Sequence, residues 1–231
     1  METPPLIRRP ESLRTHVENY LRDSIMNGMY QPGERLIERD LCATLNVSRP
    51  SLREALRRLE AEKLITNVLH RGPVVASITI AEASELYAVR ALLESHAVAE
   101  FTRLATDDAV AELGKAVQAL HMAAASGDRM SLLAAKSTFY ALILKSCGNA
   151  LIKEMLLSLL TRINLLRATS FSQPQRLAES LKEIDHLYAR VLSRDASGAR
   201  QAAQRHILNA EKTALRLLEQ QLQDSSGAAG R

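Results

Sequence analysis

Residues 34–76, ERLIERDLCATLNVSRPSLREALRRLEAEKLITNVLHRGPVVA, decide the fold. Their spacing predicts a short helix from Ile37 to Leu45, a turn at Asn46-Val47, and a second helix from Arg49 to Glu62. Ser48 supplies an N-cap, because its hydroxyl accepts from an N–H that the first helical turn leaves unpaired. Leu52, Ala55, Leu56 and Leu59 recur at three- and four-residue spacing and form the buried face. Arg49, Arg53 and Arg57 fall four apart and point elsewhere. A hairpin follows, with strands at Thr66–Leu69 and Val74–Ala76 and a turn at His70-Arg71-Gly72-Pro73. Helix, turn, arginine-bearing helix and basic hairpin make a winged helix-turn-helix, an architecture that reads double-stranded DNA.

The chemistry suits that geometry. A recognition helix enters the major groove with its N-terminal residues near base edges. Arg49 and Arg53 stand in its first turns, where a guanidinium can take guanine in a bidentate contact or hold phosphate. Ser48 and Ser51 are short enough for backbone or edge contacts. The turn exposes His70 and Arg71, and Gly72 permits a tight wing tip. Taken alone, the arginines also fit the solvated face of an amphipathic helix. The turn and the wing in register with them favour the DNA reading.

The segment resembles the N-terminal domain of the GntR superfamily of bacterial transcription regulators. The matching residues are Glu38-Arg39, Val47-Ser48-Arg49, Leu52-Arg53-Glu54-Ala55-Leu56-Arg57-Arg58-Leu59-Glu60 and Arg71-Gly72. The resemblance implies DNA contacts from Arg39, Arg49, Arg53 and the wing tip. One position departs from the family pattern: Pro50 stands where threonine is usual. Proline is tolerated at a helix start, so the helix survives while one hydroxyl contact is lost.

The 231 residues have room for two domains. Aromatics are scarce and tryptophan is absent, which with abundant Ala and Leu indicates a mainly α protein. A net charge of +4 is too weak by itself to indicate nucleic acid; the basic excess is local. Cys42 and Cys147 are lone thiols in unrelated segments, without disulfide or zinc spacing. No apolar run has the length of a signal core or a membrane span, so a cytoplasmic location is expected.

Before the motif, Thr15 to Asn27 reads as a helix with Val17, Tyr20, Leu21 and Ile25 on one side; Gly28 ends it and Gln31-Pro32-Gly33 makes a turn. After it, residues 77–81 are expected to link to a second, all-helical domain. Helices are predicted from Glu82 to Leu104, with Leu86, Val89, Leu93 and Ala97 facing the core, and then from Asp108 to Ser126 and from Ser131 to Ser146. An apolar helix should follow Gly148-Asn149 and reach Thr169. After a break at Ser172-Gln173-Pro174 come a helix to Ser193 and a last one from Ala196 to Gln221. The expected layout is a flexible arm over 1–12, a winged helix-turn-helix over 13–77, an all-α antiparallel helical bundle over 78–222 and a disordered tail over 223–231.

This second part resembles the FCD domain of the FadR-like branch of the superfamily. The points of match are Arg90 and Glu94, Phe139, Gly148-Asn149, and Asp195 with His206. Many FCD domains hold a divalent metal through an Asp and a His four apart and two later histidines 22 apart. Carried over residue by residue, those positions fall on Lys136, Tyr140, Ile184 and His206. An ammonium and an isoleucine do not ligate a divalent cation, so the domain is expected to hold no metal, and no cofactor is expected. His186 falls on the face with Glu179, Lys182 and Arg190, opposite Leu177, Leu181, Ile184 and Tyr188, and reads as solvated.

The resemblance turns Lys136 and Tyr140 into the bundle, and His206 shares a small-residue face with Ala199, Ala202, Ala203, Ala210 and Thr213. A buried lysine needs an anionic partner or shifts its pKa. One reading makes Lys136 the receiver of an effector carboxylate or phosphate, with Tyr140, His206, Arg90, Arg162 and Arg167 as further candidates. The other pairs Lys136 with an internal acid such as Glu94, fixes Arg90 on Glu94 four residues on, and makes His206 a satisfied core histidine.

Two other function classes are open to a chain of this kind. A helical enzyme would need a nucleophile, base and orienting group that this chain does not set out, and would leave the N-terminal reader without a task. A ligand-independent DNA-binding or interaction protein is the second alternative. The reading adopted is a homodimeric transcription regulator that binds operator DNA under the control of a small, anionic effector.

Overall fold

The computed structural model describes residues 13–26, 28–159, 162–164 and 174–228. The proposed arm with Arg8 and Arg9, Arg167, Ser172-Gln173 and residues 229–231 lie outside the described residues. The chain divides into two compact units between Ser77 and Ile78.

In the first unit, α1 (Leu13–Met26) buries Val17, Leu21, Ile25 and Met26. It closes as the Gly28 N–H donates to the Ile25 carbonyl, with Gly28 at a φ of +76°. α2 (Glu38–Leu45) starts one residue later than predicted, with Ile37 as its N-cap, and Asn46 ends it in the left-handed conformation. α3 (Arg49–Ala61) is capped by Ser48, accepts Pro50 in its first turn, and buries the predicted Leu52, Ala55, Leu56 and Leu59. Its four apolar side chains are at most 5% exposed. At about 1.5–3 kcal/mol for each large aliphatic side chain, their burial outweighs the weak propensities of a helix this short.

The wing departs from its prediction by a register step. The strands are β1 (Ile65–Val68) and β2 (Gly72–Val75), antiparallel with Ile65 opposite Val75 and Val68 opposite Gly72. The tip is therefore Leu69-His70-Arg71, and Gly72 and Pro73 belong to the sheet. Pro73 is tolerated there because the Pro73 carbonyl accepts from Leu36 N–H at 2.9 Å. N and O of one residue point to the same side of an antiparallel strand, so the donor that proline lacks is on that side, away from β1.

The second unit is helical throughout its described residues. α4 (Ile80–Leu104) begins inside the stretch expected to be a linker. Thr79 and Glu82 form a reciprocal capping box, which satisfies two N–H groups at once and outweighs the β-branching of Ile80. Leu86 and Ala97 are buried as predicted, but Val89 is 37% exposed, so the buried stripe runs instead through Tyr87, Arg90, Ala91 and Glu94. α5 (Asp107–Ser126) ends at Gly127, whose φ is +71°. α6 (Arg129–Ser146) starts two residues before Ser131 because Asp128 accepts from Met130 and Ser131 N–H.

The apolar helix predicted to reach Thr169 closes early: α7 spans Ala150–Ser158, and Leu159 N–H turns back to the Leu156 carbonyl. Residues 162–164 are again helical. α8 (Pro174–Leu192) and α9 (Ala196–Ala228) complete the unit. α9 runs past Gln221 and takes in residues 222–228, where a disordered tail is expected from 223, although Asp224, Ser225, Ser226 and Gly227 are weak helix formers. α9 packs on α4 and α8, and α5 packs on α6 and α8. Phe101, Phe139, Leu187 and Ile207 are fully buried at the centre. No described helix is long and apolar enough to cross a membrane.

Candidate functional site

Two groups of side chains carry chemistry, one in each unit. In the first unit, Ser48, Arg49, Arg53, His70 and Arg71 are exposed, and Ser51 and Gly72 are half-buried. The Ser48 hydroxyl lies 3.0 Å from that of Ser51 and accepts its N–H at 3.4 Å. These serines therefore hold the start of α3 as well as facing solvent. His70 has a φ of +63° and Gly72 one of +79°, which together make the tight tip. Arg53 Nε meets the Glu38 carboxylate at 3.0 Å, and Arg39 Nε meets Asp40 at 3.0 Å. Arg57, on the same helix, is engaged by Glu54 at 3.1 Å through a terminal nitrogen.

In the second unit, Lys136 and His206 meet directly: Nζ is 3.0 Å from Nε2, and both side chains are buried. Tyr140 is beside them, with the Lys136 ammonium nitrogen 5.7 Å from its ring centre. The sequence reading missed the groups that complete this cluster. His206 Nδ1 lies 2.5 Å from Glu183 Oε2, Arg176 donates to that oxygen at 2.7 Å, and Asn209 donates to the other at 2.8 Å. The helix phase read from the sequence hid them. Arg176, Ser180, Ile184, Leu187 and Val191 form the buried seam of α8, one step off the phase predicted through Leu177 and Leu181. Polar residues inside such a stripe mark a buried network.

The electrostatics fix the proton positions. Burial, reinforced by the Lys136 ammonium, pushes His206 down to about 3 despite the opposing Glu183 carboxylate. Burial alone would raise Glu183, but hydrogen bonds from His206 and Arg176 hold it at about 2. Neutral His206 therefore carries its proton on Nδ1, donates to Glu183, and accepts from Lys136 at Nε2.

Arg90 is 1% exposed and donates to Glu94 at 2.7 Å, stacked 4.8 Å from the Tyr87 ring centre. The Glu94 carboxylate outweighs burial and holds the Arg90 guanidinium firmly protonated. Arg90 Nη1 and Tyr87 OH are buried without a hydrogen-bond partner among the described residues. Glu94, Ser137, Tyr140, Ala141, Leu144, Leu156, Leu157 and Ile163 line a cavity of about 40 Å³. Arg162 stands apart from this cluster, facing Glu82 at 3.6 Å.

The donor set does not fit a divalent metal. Lys136 uses the lone pair of His206 Nε2, Ile184 is 1% exposed in the apolar core, and His186 is exposed. Among the described residues no group of three His, Cys, Asp or Glu side chains is placed to hold one.

Residues 13–75 match the family described as bacterial regulatory proteins, gntR family, and residues 85–209 match the FCD domain. The chain is 27% identical over 191 residues to the HTH-type transcriptional regulator YdhC of Bacillus subtilis, covering 82% of this chain and 84% of that protein. It is also 27% identical over 191 residues to the regulator McbR of Escherichia coli, covering 82% and 86%. The solved structure of E. coli McbR/YncC superposes with a TM-score of 0.71 at 25% identity, over 92% of this chain and 100% of that one. A transcriptional regulator GntR from Rhodococcus sp. RHA1 gives a TM-score of 0.75 at 27% identity, over 88% and 98%.

Proposed function

The chain belongs to the GntR family of bacterial regulatory proteins and carries an FCD domain; from this premise, a DNA-binding transcription regulator rather than an enzyme, we propose that a small anion bound in the second unit controls its affinity for operator DNA. Arg39, Ser48, Arg49, Ser51, Arg53, His70, Arg71 and Gly72 form the DNA-contacting surface. The working form is a cytoplasmic homodimer, since one reader covers only a short half-site.

The observation that carries the effector reading is an unfilled donor on a buried guanidinium. Arg90, Lys136 and Arg176 are buried; Arg90 faces Glu94, Arg176 faces Glu183 and Glu179, and His206 is neutral. Arg90 Nη1 has no hydrogen-bond partner among the described residues. A buried charged donor without an acceptor is costly away from water, so this site favours an added anion. Lys136, Tyr140, His206 and Arg90 are the proposed contacts. Arg162, engaged at the start of α4 by Glu82, is proposed as a peripheral contact.

A second reading has its own observation. Lys136, His206, Glu183 and Arg176 already form a continuous hydrogen-bonded chain, which suits a ligand-independent structural network. Thermal shift of the full chain against a panel of small carboxylates and inorganic phosphate, repeated with Lys136→Met, separates the two. Stabilisation by a panel member that Lys136→Met abolishes supports the effector reading. No shift with any panel member supports the structural network.

A further inference from the structure

The winged unit sorts its arginines by which nitrogens its own carboxylates occupy. Glu62 takes Nε and Nη2 of Arg22 at 3.1 and 2.8 Å. Glu54 takes Nη1 of Arg57 at 3.1 Å. Those guanidinium forks are engaged. Arg53 is held differently: both oxygens of Glu38 lie on its Nε, at 3.0 and 3.3 Å. Among the described residues no protein group takes either terminal nitrogen of Arg53. Its side chain is 61% exposed against 29% for Glu38, so the carboxylate is the fixed partner and the guanidinium the presented one. Arg39 has the same Nε contact with Asp40, but there the acid is itself 53% exposed and gives a looser hold.

The guanidinium is a rigid plane with five donors. Fixing Nε from one side sets the direction of that plane and leaves Nη1 and Nη2 as an outward fork. An outward fork is what a bidentate contact to O6 and N7 of guanine requires. Glu38 is the first residue of α2, fifteen positions before Arg53, so the two helices of the motif hold this geometry jointly. A carboxylate near DNA repels phosphate and lowers sequence-independent affinity. What it contributes is orientation.

We propose that Glu38 is the positioning residue for Arg53, fixing its guanidinium through Nε with the terminal nitrogens aimed at a guanine edge, and so setting sequence discrimination. This rests on the reading of Arg53 as a DNA-contacting residue. Its consequence is specific: losing Glu38 should damage selectivity more than binding.

The test uses the full chain. Wild-type protein selects a duplex from a randomised library, and affinity is then measured for that duplex and for poly(dA-dT), which offers no O6/N7 acceptor pair, at two salt concentrations. The variants are Glu38→Ala, Glu38→Gln, Arg53→Ala and the double Glu38→Ala/Arg53→Ala. Glu38→Ala should lower the ratio of the two affinities by roughly tenfold, while affinity for poly(dA-dT) holds or rises. Glu38→Gln, whose amide oxygen still accepts from Nε, should retain most of the ratio. In the Arg53→Ala background, Glu38→Ala should change the ratio no further. A merely structural Glu38 would lower both affinities and the melting temperature together, which overturns the proposal. A wild-type ratio in Glu38→Ala beside a reduced ratio in Arg53→Ala overturns it as well and leaves the reading of Arg53 standing. A wild-type ratio in Arg53→Ala, or selection that yields no consensus, removes that reading and the proposal with it.

Discussion

Lys136 and His206 are 70 positions apart in sequence, yet Nζ and Nε2 are 3.0 Å apart between α6 and α9. This contact sets the tautomer of His206, and the tautomer sets the link to Glu183 on α8. Three helices are thereby joined through one imidazole. The same imidazole would be needed free at Nε2 to ligate a metal, so the contact also determines what the site can hold.

Acid should weaken the second unit from about neutrality downward. His206 is held at about 3, below its ordinary value of 6.5, and Glu183 at about 2, below 4.5. Both folded values are depressed, so both contributions are present above the unfolded values and are lost as pH falls towards the folded ones. Between pH 6.5 and 4.5 the histidine dominates, with a slope of at most about 1.4 kcal/mol per pH unit for one proton. Urea denaturation across pH 4–8 should show this slope in wild type and a flatter line in His206→Gln. Equal slopes would reject a neutral buried His206.

Glu183→Gln should destabilise the second unit by roughly 2–4 kcal/mol, because Arg176 and His206 lose a buried charged acceptor. The change should appear as a lower urea midpoint. A near-neutral result would mean that Arg176 reaches water once its partner is gone.

DNA affinity should respond unequally to the arginines of α3. Arg49→Ala should weaken binding to a selected palindrome by about 1–3 kcal/mol if Arg49 meets a base edge. Arg57→Ala should have a smaller effect, since Glu54 already takes one of its terminal nitrogens. Binding by all forms should weaken as salt rises. Gel-shift titrations in which Arg57→Ala costs as much as Arg49→Ala would contradict this ordering.

Chelation should leave the melting temperature unchanged. Protein prepared without chelator should carry far less than one Zn, Ni or Mn per chain, and EDTA should cause no shift, because a native-state ligand would otherwise stabilise by mass action. Stoichiometric metal on His206 would refute the placement of Lys136 at its Nε2.

Gly114→Ala should destabilise despite the better helix propensity of alanine. A Cβ there would collide with Tyr188 Oη and lie 2.9 Å from Cζ of the stiff ring that carries it. The clash should cost about 1–3 kcal/mol against a propensity gain of about 1 kcal/mol. Combining it with Tyr188→Leu should recover most of the loss. Stabilisation by Gly114→Ala alone would show that the Tyr188 ring turns aside freely.

What could be read from the amino-acid order was what short-range physics determines. The buried face of α3, its Ser48 cap, the glycine stops at 28 and 127, and the helical nature of the second unit all follow from interactions within one or two turns. The departures arise where a distant partner settles the outcome. Leu36 accommodates Pro73 in the sheet and so shifts the wing by a register step. The phase of α8 is set by what packs on it, and this places Arg176 and Glu183 inside against His206 rather than in water. Periodicity assigns a stripe to the core when the stripe is apolar. It has no means of assigning two charged residues there, because their burial is favourable only with the compensating groups of another helix already in place. Those groups lie 23 to 30 positions away along the chain, and only the folded packing brings them within hydrogen-bond distance.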